Sequence, residues 1–369
     1  MSPVMFDSLY IHVPFCAGKC AYCAFYSLGA STPEQRRSYL NTLAAECRRQ
    51  APRCQPLQTI FVGGGTPSLL SPEELGDFLA IVRDHFAFAA NCEWTVEANP
   101  ESLTPAKIAM LAAAGVNRLS IGIQSFKTHL RERIGRRGSL NQLPTIMQTA
   151  RDSGIRRINF DLIFAIPGQT LADWQEDLAQ ALSWQPSHLS TYALTVEETT
   201  PLAQSMKNDQ YDDDFVAFWD ACDETLGKQG LHRYEIANFA RPGHECRHNL
   251  RIWHGASYLG CGPAATSFDG QDRWTNPAHL QQWLNGQAPE LDRINPDARA
   301  AEILAFGMRC VAGWQWEDFR RRCRRDPLEL RGDALRRLAK LGLITLDADG
   351  ARPTRQGLLF NDDLVAELL

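Results

Sequence analysis

Over the first two hundred positions the apolar residues switch between two periods. Short runs rich in β-branched and aromatic residues at 9–13, 59–62, 94–97, 118–123, 157–165 and 188–194 read as strands. Between them the apolar positions recur at helical spacing, as with Leu40, Leu43, Ala44 and Cys47 within 34–50, and Trp174, Leu178, Ala181 and Leu182 further on. Helices are also predicted over 72–86, over 104–115, where Thr104-Pro105 opens and Gly115 closes the segment, and over 140–152. Six strands alternating with helices predict an α/β fold with a parallel sheet and right-handed crossovers. Six units are too few for the usual eight-stranded barrel, so the expected architecture is an open, partial (β/α)6 barrel.

Past residue 200 the rhythm changes. A helix face is formed by Phe215, Trp219, Cys222 and Leu226, an added strand is predicted near 234–239, and the stretch 246–265 does not repeat the pattern. From 296 a helix over 297–311, an Arg-rich segment, a helix over 333–341, an apolar run at 342–346, a turn at 347–350 and a last helix predict a winged-helix-like, mostly helical unit. The expected division is 1–230 for the barrel, 231–295 for an extension and 296–369 for the C-terminal domain.

Composition adds limits. Of 369 residues, 44% are hydrophobic and 22% charged, and the formal net charge is -5, which gives no global attraction to a polyanion. The stretch 319–337 has eight Arg against three acids. Such a run is usually a solvated helix face, and without a base-reading motif no specific nucleic-acid binding is expected. No stretch reaches the ~18 uninterrupted apolar residues of a spanning helix, and the first seven residues lack the basic start and apolar run of a signal peptide. Eleven cysteines, an odd number, fit a reducing compartment better than a disulfide framework. The expected location is the cytoplasm, at most peripheral to a membrane.

In barrel folds function gathers where strands end, and the polar residues here fall at those ends. Cys16, Cys20 and Cys23, spaced C-x3-C-x2-C, follow the first strand; Gly63-Gly64-Gly65-Thr66-Pro67 follows the second; Glu97 ends the third and Gln124 the fourth. A [4Fe-4S] cube normally takes four thiolates and a structural zinc four ligands. Three cysteines on one cube leave an iron open for a ligand that is not protein; a zinc site completed by a distant His and three ordinary thiols are the alternatives. The glycine turn is a place where backbone comes close to something. Glu97, a lone carboxylate at a barrel mouth, is costly to bury unpartnered, which suits a hydrogen bond to a polar ligand such as ribose. Asp161 is a charge among Ile158, Leu162 and Ile163, with a structural salt bridge to Arg136 as its plainer role.

The cysteine loop resembles that of radical S-adenosylmethionine (SAM) proteins, in which the open iron chelates the methionine moiety. More narrowly, Leu9-Tyr-Ile-His-Val-Pro-Phe-Cys16, the Gly63–Pro67 turn, Arg118-Leu-Ser-Ile-Gly-Ile-Gln-Ser-Phe126 and Asp161-Leu-Ile-Phe-Ala-Ile-Pro-Gly-Gln169 resemble the oxygen-independent coproporphyrinogen dehydrogenase family over nearly the whole chain. That family holds true dehydrogenases and a heme-chaperone branch. The resemblance implies cluster ligation by Cys16, Cys20 and Cys23, and SAM contacts from Tyr10, Gly64, Gly65, Thr66, Glu97, Gln124, Arg136 and Asp161. The dehydrogenases carry a fourth cysteine where this chain has Phe25, and a longer N-terminal extension, so the resemblance favours the chaperone branch. It implies a carrier that binds heme and passes it to acceptors such as respiratory enzymes, some of them membrane-associated, without coproporphyrinogen oxidation. The alternative is the radical SAM dehydrogenase itself. His248-Asn-Leu-Arg-Ile-Trp253 resembles the branch's heme-binding motif with Ile252 in place of Tyr, and Thr266 stands where relatives carry His. His248 is therefore the expected axial ligand, with Cys246 or Cys261 as alternatives that are otherwise structural thiols.

Overall fold

The computed structural model describes residues 5–205 and 215–369. Six strands, β1 (Phe6–Val13), β2 (Cys54–Gly64), β3 (Phe88–Ala98), β4 (Arg118–Gln124), β5 (Arg157–Phe164) and β6 (His188–Ala193), lie parallel and in sequence order. The helices α1 (Pro33–Gln50), α2 (Pro72–His85), α3 (Pro105–Ala114), α4 (Thr128–Arg133), α5 (Leu143–Asp152) and α6 (Leu171–Ser183) connect them. The α/β partial barrel is as expected. β2 and β3 start earlier than their apolar cores, because pairing from Leu57 to Phe88 carries the ladder into polar sequence. The predicted helix at 140–152 is preceded by the separate short α4.

Side chains alternate across each strand, and the two faces differ in character. Leu9, Ile11 and Val13, Ile60 and Val62, Trp94 and Val96, and Leu119 and Ile121 are buried in one core with Leu43, Leu75, Phe78, Leu111 and Trp174 from the helices. The other face is polar, with Ser8, His12, Thr59, Glu93, Thr95, Ser120 and Asn159 buried inside the curved sheet. Helices α1, α2 and α6 each start with a capping box, at Thr32, Ser71 and Thr170. These caps fix where the loops at the strand ends stop.

Residues 231–295 do not stand apart from the barrel. After α7 (Pro201–Ser205) and α8 (Phe215–Gly227), the predicted strand near 234–239 is two antiparallel strands, β7 (His232–Glu235) and β8 (Asn238–Ala240), added beside β6. Helix α9 (Arg247–Trp253) follows, and β9 (Leu259–Cys261) joins the opposite edge parallel to β1, giving nine strands. Strands β10 (Thr266–Phe268), β11 (Arg273–Thr275) and β12 (Glu290–Asp292) form a small antiparallel sheet, with α10 (Leu280–Leu284) between the last two.

The C-terminal unit runs α11 (Pro296–Gly307), β13 (Trp314–Gln315), α12 (Trp316–Cys323), α13 (Pro327–Lys340), β14 (Ile344–Leu346) and β15 (Gly350–Pro353), the element order of a winged helix, with β15 between β13 and β14. The last predicted helix is two, α14 (Arg355–Leu359) and α15 (Asn361–Leu368). Its core holds Trp314, Trp316, Phe319, Leu335 and Leu364. The Arg-rich run is largely engaged within this unit: Arg320 with Asp326, Arg321 with Glu317, Arg325 with Asp297, Arg336 with Asp333 and Arg337 with Glu367.

Candidate functional site

A cavity of about 510 Å³ opens at the carboxyl ends of the strands. One wall is the cysteine loop, tied down by Cys16 N–H to Leu28 O (2.9 Å), Leu28 N–H to Pro14 O (2.7 Å) and Ala21 N–H to Ile134 O (3.0 Å). Cys16, Cys20 and Cys23 are partly exposed and all line the cavity. The Thr66 hydroxyl faces the Cys16 sulfur at 3.6 Å and the Arg136 guanidinium faces Cys20 at 3.8 Å. Burial raises the Cys23 thiol, the Phe25 N–H opposes this, and the Cys20 and Cys16 sulfurs add to the rise.

The glycine turn has a separate steric reason at each position. A Cβ on Gly63 would sit 2.5 Å from Glu97 Oε2, one on Gly64 would enter the His12 ring, and one on Gly65 would meet the Phe15 and Val13 backbone at 2.7–2.8 Å. Gly64 also has φ +103°, a conformation that favours glycine. The turn is thus pressed between β1 and Glu97. Gly64 N–H donates to Glu97 Oε2 at 3.1 Å. Burial, together with the nearby Asp161 charge, pushes Glu97 up to about 8.

Arg136 donates to Asn99 Oδ1 (2.6 Å) and Gly122 O (2.7 Å). Asp161 instead accepts from Ser120 Oγ (3.1 Å) and Asn159 Nδ2 (2.8 Å). The Arg136–Asp161 ion pair considered from sequence is thus replaced, among the described residues, by two separate networks. Burial raises Asp161 despite its hydroxyl and amide donors. Gln124 lines the cavity with φ +69°, a left-handed kink where β4 ends.

Gly64, Gly65, Thr66, Glu97, Gln124, Arg136 and Asp161 thus meet on one cavity with the three cysteines. Tyr10 is set apart from that lining: its hydroxyl is 3.0 Å from His12 Nδ1 and its ring stacks on Phe61. Sequence reasoning missed Asn99, whose side chain joins Thr66 (3.0 Å) to Arg136, as well as Tyr22 and Tyr192 in the lining. An Asn before Pro100 at a strand end was the available signal for the first.

His248 lies elsewhere. Helix α9 packs against β2, and the His248 side chain is 2% exposed within the barrel interior. Its Nδ1 is 3.0 Å from Thr59 Oγ1, its N–H donates to Glu93 Oε1 at 3.1 Å, and its ring lies 5.4 Å from that of Phe61. Burial, with the Arg251 charge, lowers it to about 3. As placed, this imidazole is sealed from any iron outside the barrel. The expected axial ligand is therefore a neutral interior side chain in this conformation. Cys246 and Cys261 are buried too, and burial pushes the Cys246 thiol up to about 12.

Comparison with known proteins follows this geometry. The Radical SAM superfamily model matches residues 10–181 and the HemN C-terminal domain model residues 294–360. "Heme chaperone HemW" of Mycobacterium tuberculosis (strain ATCC 25618 / H37Rv) is 35% identical over 98% of this chain and 94% of its own length. The protein of the same name from Escherichia coli (strain K12) is 36% identical over 78% of each chain. The chain belongs to the HemW family. The solved coproporphyrinogen III oxidase HemN of Escherichia coli, described as a radical SAM enzyme, shares the fold with a TM-score of 0.85, at 23% identity over 99% of this chain and 90% of that one. Membership in the radical SAM superfamily implies a [4Fe-4S] cluster and SAM. The residues fit: three thiols line one wall, and the glycine cradle and Glu97 face the same space.

Proposed function

We propose that the protein is a heme chaperone that holds a [4Fe-4S] cluster, SAM and heme and hands heme to acceptor proteins, respiratory enzymes among them. The single observation that carries this reading is the near full-length similarity to proteins named heme chaperones. Cys16, Cys20 and Cys23 would hold the cluster as thiolates, the form that binds metal, with the Arg136 cation beside Cys20 favouring that form. The glycine cradle would take the methionine end of SAM through its backbone, and Glu97, Gln124, Arg136 and Asp161 would face its polar groups. When bound, the cluster supplies one-electron chemistry toward SAM. Tyr10 supports this site through His12. His248 holds α9 in the barrel, and an iron-ligand role for it requires α9 to withdraw. Among the described residues no helix is long and apolar enough to cross a membrane, and we place the protein in the cytoplasm, meeting membrane-bound acceptors from that side.

The test is anaerobic reconstitution with iron and sulfide, followed by hemin titration and incubation with coproporphyrinogen III. Tight hemin binding without porphyrinogen oxidation is expected; efficient turnover would overturn the carrier reading in favour of the dehydrogenase. Replacing Cys16, Cys20 and Cys23 together by Ala should abolish the cluster's visible absorption, and retention of that absorption would remove the ligand assignment.

A further inference from the structure

The cysteine loop carries a side chain that the cluster and SAM do not explain. Phe25 lines the cavity yet is 71% exposed, the most exposed of the large apolar side chains among the described residues. Its backbone N–H is turned to the Cys23 sulfur, so its ring is anchored beside a cluster ligand. Tyr192, on β6 at the other arm of the sheet, lines the same cavity and is 43% exposed. Ala24, Ile163 and Leu194 add apolar surface to that lining. The lower part of the cavity is polar, with Glu97, Asp161 and Arg136. Two cations flank this region: Lys19 is exposed on the cysteine loop, and Arg137 is exposed on the segment whose Gly135 packs against Ala21. Neither has an ion-pair partner among the described residues.

We infer that the Phe25 and Tyr192 rings form a docking edge for the flat face of a tetrapyrrole at the cavity mouth, with Lys19 and Arg137 taking its propionates. The inference rests on the heme-carrier reading and says where the cargo sits. The chemistry is complementary: a wide conjugated ring covers exposed aromatic surface by offset stacking, and two carboxylates match two free cations. A ring held by its face and edge charges, without a protein bond to the metal, is also one that can be passed on.

Hemin and metal-free protoporphyrin are titrated into the reconstituted wild type and into Phe25→Ser, Phe25→Trp, Tyr192→Ser and Lys19→Glu/Arg137→Glu variants, with SAM affinity measured alongside. Stacking predicts that both porphyrins bind the wild type within a few-fold of each other. It predicts weakening of roughly tenfold in each Ser variant and in the charge-reversed variant, retention in Phe25→Trp, and unchanged SAM affinity and cluster absorption. Phe25 is exposed, so its replacement leaves the fold intact. Unchanged hemin binding in Phe25→Ser, or loss of SAM rather than hemin affinity, would overturn the inference while leaving the carrier reading in place. Binding that vanishes without the metal would also overturn it, since the ring would then be held through iron. A wild type that binds no hemin sinks both.

Discussion

At the scale of single residues the site depends on positions where one atom more is too many. Gly64→Ala would push a methyl into the His12 ring at a backbone angle that side chains rarely adopt. Because His12 Nε2 is 2.9 Å from Tyr26 O, displacing that ring pulls on the cysteine loop. The expected outcome is loss of SAM binding and a stability loss of about 2–4 kcal/mol, read by calorimetric SAM titration and urea unfolding. Glu97 makes a second prediction. Its folded pKa of about 8 lies above the ordinary carboxylate value, so with the cavity empty, stability falls as pH rises through that window. A cationic ligand that needs the ionised carboxylate should bind more tightly as pH rises toward 8, by up to about tenfold per unit. Measured SAM affinity between pH 6.5 and 8.5 should follow this slope, and Glu97→Gln should flatten it. The cysteines, the glycines and Glu97 were legible in the sequence because each is a chemically unusual residue at a strand end. Asn99 and Tyr192 were not, since an Asn in a turn and a Tyr in a strand are ordinary until the sheet curves them onto one cavity.

At the scale of elements, the six parallel strands and their helices were legible because their apolar periods are long enough to count. Strands β7, β8 and β9 were only partly legible or missed: each has three or four residues, too few to show a period, and their places are set by the edges they complete. Helix α9 shows the difference most sharply, since its motif could be read but its location inside the barrel could not. That location makes its own prediction. With His248 lowered to about 3, the unfolded chain binds a proton that the folded chain does not between that value and the ordinary 6.5. Stability should therefore fall as pH falls through this interval, by up to about 1.4 kcal/mol per unit. His12 and His188 are lowered by burial too, so His248→Gln should reduce the slope of urea midpoints between pH 7 and 4.5 without removing it. His248→Ala leaves Thr59 without its partner and should cost about 2–4 kcal/mol, with hemin still bound by the folded fraction. A stable variant that has lost hemin would return the iron to His248 and require α9 to leave the barrel.

At the scale of the whole molecule, the C-terminal unit has its own core but not its own boundary. Ile236 N–H donates to Arg309 O and Val311 N–H to Tyr234 O, each at 3.0 Å, stitching the turn after α11 to the β7–β8 hairpin at the edge of the barrel sheet. His254, just past α9, places Nε2 3.1 Å from Gly313 O and its ring 4.8 Å from Trp314. Trp314 in turn donates from Nε1 to Leu304 O at 3.1 Å, over Gly307, where any Cβ would run into the indole. This chain of contacts connects the winged-helix core to the helix that fills the barrel. Gly307→Ala should displace the indole, break its bond to Leu304 and loosen the His254 contact, costing about 2–4 kcal/mol. Since the two cores share these bonds, the loss should move one common thermal transition, with tryptophan fluorescence and far-ultraviolet circular dichroism still coinciding. A separate early transition confined to the tryptophan signal would show instead that the C-terminal unit unfolds on its own, and that the barrel keeps α9 seated without it.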